Sequence, residues 1–325
     1  MAHKWSEWFR GWGDVDLVRA ELEAGADPNA RLWAIGNTPL HCAAQDNASA
    51  EVIDLLVSWG AEAEARNAAG ETPLWLAVRH GCGRAVAALL AHDVRPWEPV
   101  REGRSAGEMA LHGDLAPLFA DLPGARALSE RERARQAEAD ALIRGYEELG
   151  RLVYPAIAFV GGVDLDTVIR RMGADPADCP EVGPRAYEQA ACVAPQSRVC
   201  WAGAPAGGGV VVVQLGGIIP VGAAFSRAVS ACGATVTSHF DNPAGGCSMD
   251  WWRDGQRTGF HGVPQLDPVG GPEEAWYCRF GDGATDLGPT ARCLALMGML
   301  TGVRTDGEWL AEAPKRLVSA VGVDF

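Results

Sequence analysis

Few residues in this sequence combine the types and spacing that chemistry needs, and most of them cluster late in the chain. Cys247 stands near His239 and His261 and near Asp241 and Asp250. A thiol, an imidazole and a carboxylate are the parts of a nucleophilic site, in which the imidazole takes the thiol proton and the carboxylate orients the ring. The spacing matches no protease signature, and two histidines in a strand-rich stretch serve as core or surface residues in most proteins. Gly207-Gly208-Gly209 precedes a strand and is not followed by Lys-Ser or Lys-Thr, so it is not a phosphate loop. Gly281-Asp282-Gly283-Ala284-Thr285-Asp286 is acidic and glycine-rich, but its oxygens lack calcium-loop spacing and it reads as a solvated loop. The nine cysteines contain no C-x-x-C pair and are odd in number, which argues against a zinc site and a disulfide scaffold. No catalytic set, metal or cofactor is assigned from these patterns.

Charge narrows the partners. The net charge is −14 over 325 residues; residues 1–150 carry 15 basic and 24 acidic groups, and residues 151–325 carry 13 and 18. Nucleic acid and anionic membrane need clustered cations, which neither half supplies. Between Ala202 and Ser226 there is no charge, but seven glycines, two prolines and Gln214 interrupt the run, so a buried strand between glycine loops is expected rather than a membrane span. The start, Met1-Ala2-His3-Lys4-Trp5, has no apolar signal core, and a reducing cytoplasm is expected.

The elements that must position these residues begin with a repeat. Gly36-Asn37-Thr38-Pro39-Leu40-His41 returns 34 residues later as Gly70-Glu71-Thr72-Pro73-Leu74-Trp75, and a worn copy starts at Gly103. A repeat of this period is a stack of helix pairs. Thr38 and Thr72 can cap a helix whose first residue is proline, where no N–H is needed. Gly36 and Gly70 supply the tight turn before each pair. Val52-Ile53 with Leu55-Leu56, and Val86 with Leu89-Leu90, line the second helices. Trp5, Trp8, Phe9 and Trp12 fall on one helical stripe and are expected to dock on the stack.

The motif resembles the ankyrin repeat. The resemblance implies two regular units between two degenerate caps over residues 1–124, with the partner surface on the turn tips and the exposed sides of the first helices. Carried onto this chain, that surface is Trp33, Ile35, Asn37, Gln45 and Asp46 from one unit, and Ala69, Glu71, Arg79 and His80 from the next. Trp33 and Ile35 are the most informative, because large apolar groups on a turn tip are costly unless covered. His41 is expected to be structural, bonding neighbouring turns.

Residues 125–150 read as a charged connecting helix opened by Ser129-Glu130-Arg131-Glu132. Residues 151–325 read as an α+β domain with a mostly antiparallel sheet. Strands are expected near 153–160, 198–201, 210–213, 234–240, 248–253, 256–260, 276–280 and 317–323, and the Asp254-Gly255 turn predicts a hairpin. This half resembles an uncharacterised domain found behind ankyrin repeats in high-GC bacteria, on Phe159-Val160-Gly161-Gly162-Val163, Val168-Ile169-Arg170-Arg171-Met172-Gly173 and Leu300-Thr301-Gly302-Val303. The chain therefore reads as multidomain, a helical ankyrin solenoid followed by an α+β domain. The expected function is recognition of a protein partner, a basic one on the acidic net charge, with an appended sensing or effector domain; the alternative is a cysteine-dependent hydrolase whose repeats recruit substrate.

Overall fold

A computed structural model describes residue 5 and residues 11–146, 155–193, 199–215, 217–241, 247–263, 272–279 and 289–319. The chain divides into two compact units, Met1–Arg131 and Glu132–Phe325.

The first unit is the helix stack. Asp14 caps α1 (Val15–Glu23), accepting from the backbone N–H groups of Asp16 and Leu17. The regular units follow as α2 (Pro39–Gln45) with α3 (Ala50–Ser58), and α4 (Pro73–Arg79) with α5 (Gly83–Leu90). Proline opens both first helices, and the Thr72 hydroxyl accepts from the Trp75 N–H. The worn copy forms a short ribbon, β1 (Pro99–Arg101) and β2 (Arg104–Ser105), and then α6 (Ala106–Ala110). In α6 Ser105 and Glu108 make a capping box, at the position where the regular units have Thr-Pro. Where a second helix would follow, only a 3-10 turn, Ala116–Phe119, forms. Trp5 and Trp12 are buried with ring centroids 4.9 Å apart, and the Trp5 indole donates to the Asp27 carbonyl at 2.7 Å. Trp8 and Phe9 lie outside the described residues.

In the second unit α7 (Glu130–Gly145) packs through Gln136, which donates to the Tyr277 carbonyl, and through Glu138, which pairs with Arg304 at 2.5 Å. The chain continues as β3 (Pro155–Gly161), α8 (Leu165–Arg171), β4 (Glu181–Val182), α9 (Pro184–Val193), β5 (Val199–Gly203) and β6 (Val210–Leu215). It goes on through α10 (Ala223–Val229), β7 (Thr235–Asp241), β8 (Cys247–Arg253), β9 (Gln256–Val263), α11 (Glu273–Cys278), α12 (Pro289–Thr301), α13 (Gly307–Glu312) and β10 (Lys315–Ser319). The strands form one sheet in the order β4-β10-β5-β6-β3-β7-β8-β9, antiparallel throughout. The hairpin across Asp254-Gly255 pairs Arg253 with Gln256.

Both faces of the central strands are buried, as expected of the uncharged Val-rich run. On one face Ala158, Val160, Val210 and Val212 meet Val168 and Ile169 of α8, its C-cap Met172, and Phe225 and Val229 of α10. Strand neighbours alternate between faces, so Ile157, Phe159, Val211 and Val213 point the other way, and α12 packs against β3, β7 and β8. A Cβ on Gly161 would overlap the Thr301 carbonyl, so the end of β3 meets the end of α12 only through glycine.

The structure departs from the sequence expectation in two ways: the short strands β1, β2 and β4 were not among those expected, and one expected strand is a helix. The run expected as a strand at 276–280 is the helix α11, with Phe280 outside the described residues. Pro272 precedes it and Glu273 and Glu274 occupy its first turn, where the helix dipole favours anions. Ala275, Trp276, Tyr277 and Cys278 are all buried, and a short apolar run has no periodicity by which to tell strand from helix.

Candidate functional site

The turn before α2 is built from bonds its sequence can make locally. The Leu32 N–H donates to the Asn37 carbonyl at 2.8 Å, and the Gly36 N–H to the Trp33 carbonyl at 3.1 Å. Gly36 sits at φ 66°, in the left-handed region that glycine favours. Trp33 sits there too, at φ 53°, although its side chain is bulky. The next turn repeats the pattern, with the Asn67 N–H donating to the Glu71 carbonyl and the Gly70 N–H to the Asn67 carbonyl. Arg31 reaches the Gly36 and Arg66 carbonyls, and Arg66 reaches those of Gly70 and Val100, so each turn is tied to the next by an arginine.

The nine expected contact residues separate by exposure. Trp33 and Ile35 are 49% and 44% exposed, and Asp46 and Ala69 are also exposed. Gln45, Arg79 and His80 are half-buried. Asn37 and Glu71 are buried, at 5% and 2%, so as contact residues they need correction: their side chains do not reach the surface. The Glu71 carboxylate accepts from Arg79 at 2.9 Å, Arg101 at 2.8 Å and the Asn67 amide at 3.1 Å. Asn67 also donates to Asn37, Asn37 donates to Gln45, and the Gln45 amide meets His80 Nε2 at 3.1 Å. The polar residues expected to grip a partner thus form a relay inside the stack that holds Gln45, Arg79 and His80 at its margin. Along α2 and α4 the remaining residues are buried from Pro39 to Ala44 and from Pro73 to Val78, which leaves turn tips and helix ends as the accessible surface.

His41 is fully buried and bridges units. Its Nδ1 accepts from the Thr38 N–H at 3.1 Å, which places the neutral ring's proton on Nε2, and Nε2 meets the Glu71 carbonyl at 3.0 Å. Burial pushes its pKa below the ordinary histidine value, against the pull of the Glu71 carbonyl. Trp75, at the equivalent position, cannot accept; its Nε1 has no hydrogen-bond partner among the described residues.

Register places Cys247, Asp241, His239 and His261 at positions of one sheet face and Asp250 on the other. Register pairs Cys247 with Asp241 and Val263, and Met249 with His239 and His261. Asp250 pairs with Ser238 and Phe260, one residue out of phase, so it points to the opposite face from His239 and Met249. His239 is fully buried, which withholds its ring from a substrate. Burial pushes the Asp250 carboxyl above the usual carboxylate range, opposed by Arg257 at 4.0 Å. The side chains of Asp241, Cys247 and His261 lie outside the described residues. Elsewhere Cys42, Cys82, Cys179, Cys200, Cys278 and Cys293 are buried free thiols; burial pushes Cys42 up to about 12. Among the described residues no group of His, Cys, Asp and Glu is placed to hold a metal, and no helix is long and apolar enough to cross a membrane.

One polar site escaped sequence reasoning. Lys315, one of only two lysines in the chain, is buried. Its ammonium donates to the carbonyls of Trp309, Leu310 and Ala313 at 2.8, 3.0 and 2.9 Å, closing the C-terminal end of α13. It lies 3.9 Å from the Trp201 ring centre and 4.3 Å from that of Trp309. Burial pushes its pKa down to about 7, while three acceptors and two indole faces favour the charged form. The scarcity of lysine was the one available signal, and it named no partner.

Residues 10–99 match ankyrin repeats, in three copies. Over 82 residues the chain is 43% identical to Ankyrin repeat and SOCS box protein 11 of Mus musculus, covering 25% of this chain and 24% of that protein. It is 45% identical over 58 residues to Protein fem-1 homolog CG6966 of Drosophila melanogaster, covering 18% of this chain and 9% of that one. It is 37% identical over 75 residues to E3 ubiquitin-protein ligase KEG of Arabidopsis thaliana, covering 23% and 5%. The chain therefore spans no more than about a quarter of any of these relatives, within the repeats alone. Residues 152–320, more than half of the chain, match a family of unknown function, and by that match the chain belongs to the family DUF6461, carried here behind ankyrin repeats.

Proposed function

We propose that the repeat unit is a recognition platform for a protein partner, anchored by Trp33 and Ile35. Asp46 and Ala69, with the half-buried Gln45, Arg79 and His80, complete its surface. The observation that carries this reading is Trp33 itself. A bulky residue held at positive φ costs of order 1–3 kcal/mol, and such strain persists where function uses it. Here the strained residue also presents an indole at a rigid turn tip, 49% exposed. Tryptophan is a favoured interface anchor, because it buries a large area at small entropic cost.

The net charge of −14 favours a basic partner, since complementary charge speeds encounter and excludes acidic competitors. Residues 151–325 act as the sensing or effector domain that the platform delivers, in a bacterial cytoplasm.

The test uses Trp33→Gly and Ile35→Ala in the full chain. Glycine suits φ 53°, so Trp33→Gly keeps or raises the melting temperature while removing the anchor. The bound set captured from the native host, quantified against the parent, loses its most enriched basic protein in both variants. A bound set unchanged by both variants refutes the platform.

A further inference from the structure

We propose that the face of β7, β8 and β9 carrying His239, Asp241, Cys247 and His261 holds a structural zinc ion. The backbones of these positions are described, and alternation along a strand fixes the face that each occupies. Cys247 is the centre of the group. Asp241 stands directly opposite it on β7. His239 is two residues before Asp241, and His261 is two residues before Val263, the residue opposite Cys247 on β9. Each histidine position is therefore diagonal to Cys247, one on either side of β8. Residues directly opposite have Cβ atoms about 4.5–5.5 Å apart, and diagonal ones about 7–8 Å. Zinc bonds of about 2.3 Å to sulfur and about 2.0–2.2 Å to nitrogen and oxygen, added to the lengths of such side chains, span these separations.

The donor types suit zinc. Sulfur and imidazole select it over magnesium and calcium, which take oxygen sets, and a single carboxylate completes a tetrahedron. A thiolate and a carboxylate cancel the charge of a divalent ion, so the filled site is neutral overall and tolerates a dry surrounding. The surrounding is dry: His239 and Met249, directly opposite each other on β7 and β8, are 0% and 1% exposed. Full burial bars His239 from acting on a substrate but suits a metal site, because low dielectric strengthens the attraction between an ion and its ligands. Only one cysteine enters the set, so it leaves no C-x-x-C signature, and its members are brought together by strand pairing. β9 is the last strand of the sheet, and an ion shared with β7 and β8 ties it to them.

The experiment titrates the metal-free full chain with cobalt(II), which takes the tetrahedral place of zinc and is coloured there. A single equivalent gives the strong visible bands of tetrahedral cobalt together with a thiolate-to-cobalt charge-transfer band, and zinc removes both. Cys247→Ser abolishes the charge-transfer band. His261→Asn keeps that band, which a misfolded chain would not, but weakens cobalt binding by about a hundredfold. Cys232→Ser, at an exposed free thiol, changes neither. Zinc raises the melting transition of the parent and leaves that of Cys247→Ser in place. A parent that forms no tetrahedral cobalt centre overturns the inference. So does a charge-transfer band that survives in Cys247→Ser or is lost in Cys232→Ser, and so does an unchanged affinity in His261→Asn.

Discussion

Replacing Glu71 with alanine should cost stability rather than remove a surface contact. The carboxylate is 2% exposed and accepts three hydrogen bonds, two of them from arginines. Removing one partner of a buried ion pair typically costs about 3–5 kcal/mol, because the other charge is left without compensation. Arg79 and Arg101 keep 19% and 18% of their side-chain surface and can recover some hydration. The lower end, about 3 kcal/mol, therefore applies. In native-state hydrogen exchange that loss lowers protection by about two orders of magnitude. The affected amides are those of α2, α4 and α6. Glu71→Gln preserves the acceptor oxygen and falls between parent and alanine. In Glu71→Ala/Arg101→Ala the two costs fail to add by about 1–2 kcal/mol, since the sites share a partner. Protection in Glu71→Ala within about 0.5 kcal/mol of the parent, the scatter of ordinary surface substitutions, would refute the buried relay.

Three further outcomes follow from the same geometry. His41 has a depressed folded pKa, so the stability held by its neutral ring is complete above the ordinary histidine value, about 6.5, and falls as pH drops from there toward the depressed value. Urea midpoints between pH 8 and 5 should decline more in the parent than in His41→Gln. The Lys315 amine, pushed down to about 7, binds fewer protons folded than unfolded between there and the ordinary lysine value. Parent stability relative to Lys315→Met therefore rises with pH across that window, while Lys315→Met itself costs about 1–3 kcal/mol for carbonyls left unpaired at the end of α13, measured by thermal melting. Gly161→Ala forces β3 from α12 and destabilises the second unit by about 1–3 kcal/mol or more, read as a lowered melting transition with the α2 amides unaffected.

The stack was legible because every signal in it is local. Thr-Pro starts a helix and glycine closes a turn within a few residues, and contact with the adjacent copy makes the 34-residue period itself visible. The antiparallel sheet was legible in kind, through Val-rich runs and the Asp254-Gly255 turn. Its order was not: β10, near the chain's end, lies between β4 and β5 through pairing across more than a hundred residues. The helix α11 was misread for want of periodicity in a wholly buried run.

The candidate site divides in the same way. The sequence alone determined that a turn tip carries Trp33 and Ile35, the residues proposed to anchor a partner. Only tertiary structure decided that Asn37 and Glu71 turn inward, because the charges that neutralise Glu71 come from Arg79 and from Arg101, the latter 30 residues away in the next turn. It likewise decided that Lys315 is buried between two tryptophans. A polar side chain reads as exposed until its partners are known, and those partners are supplied by packing.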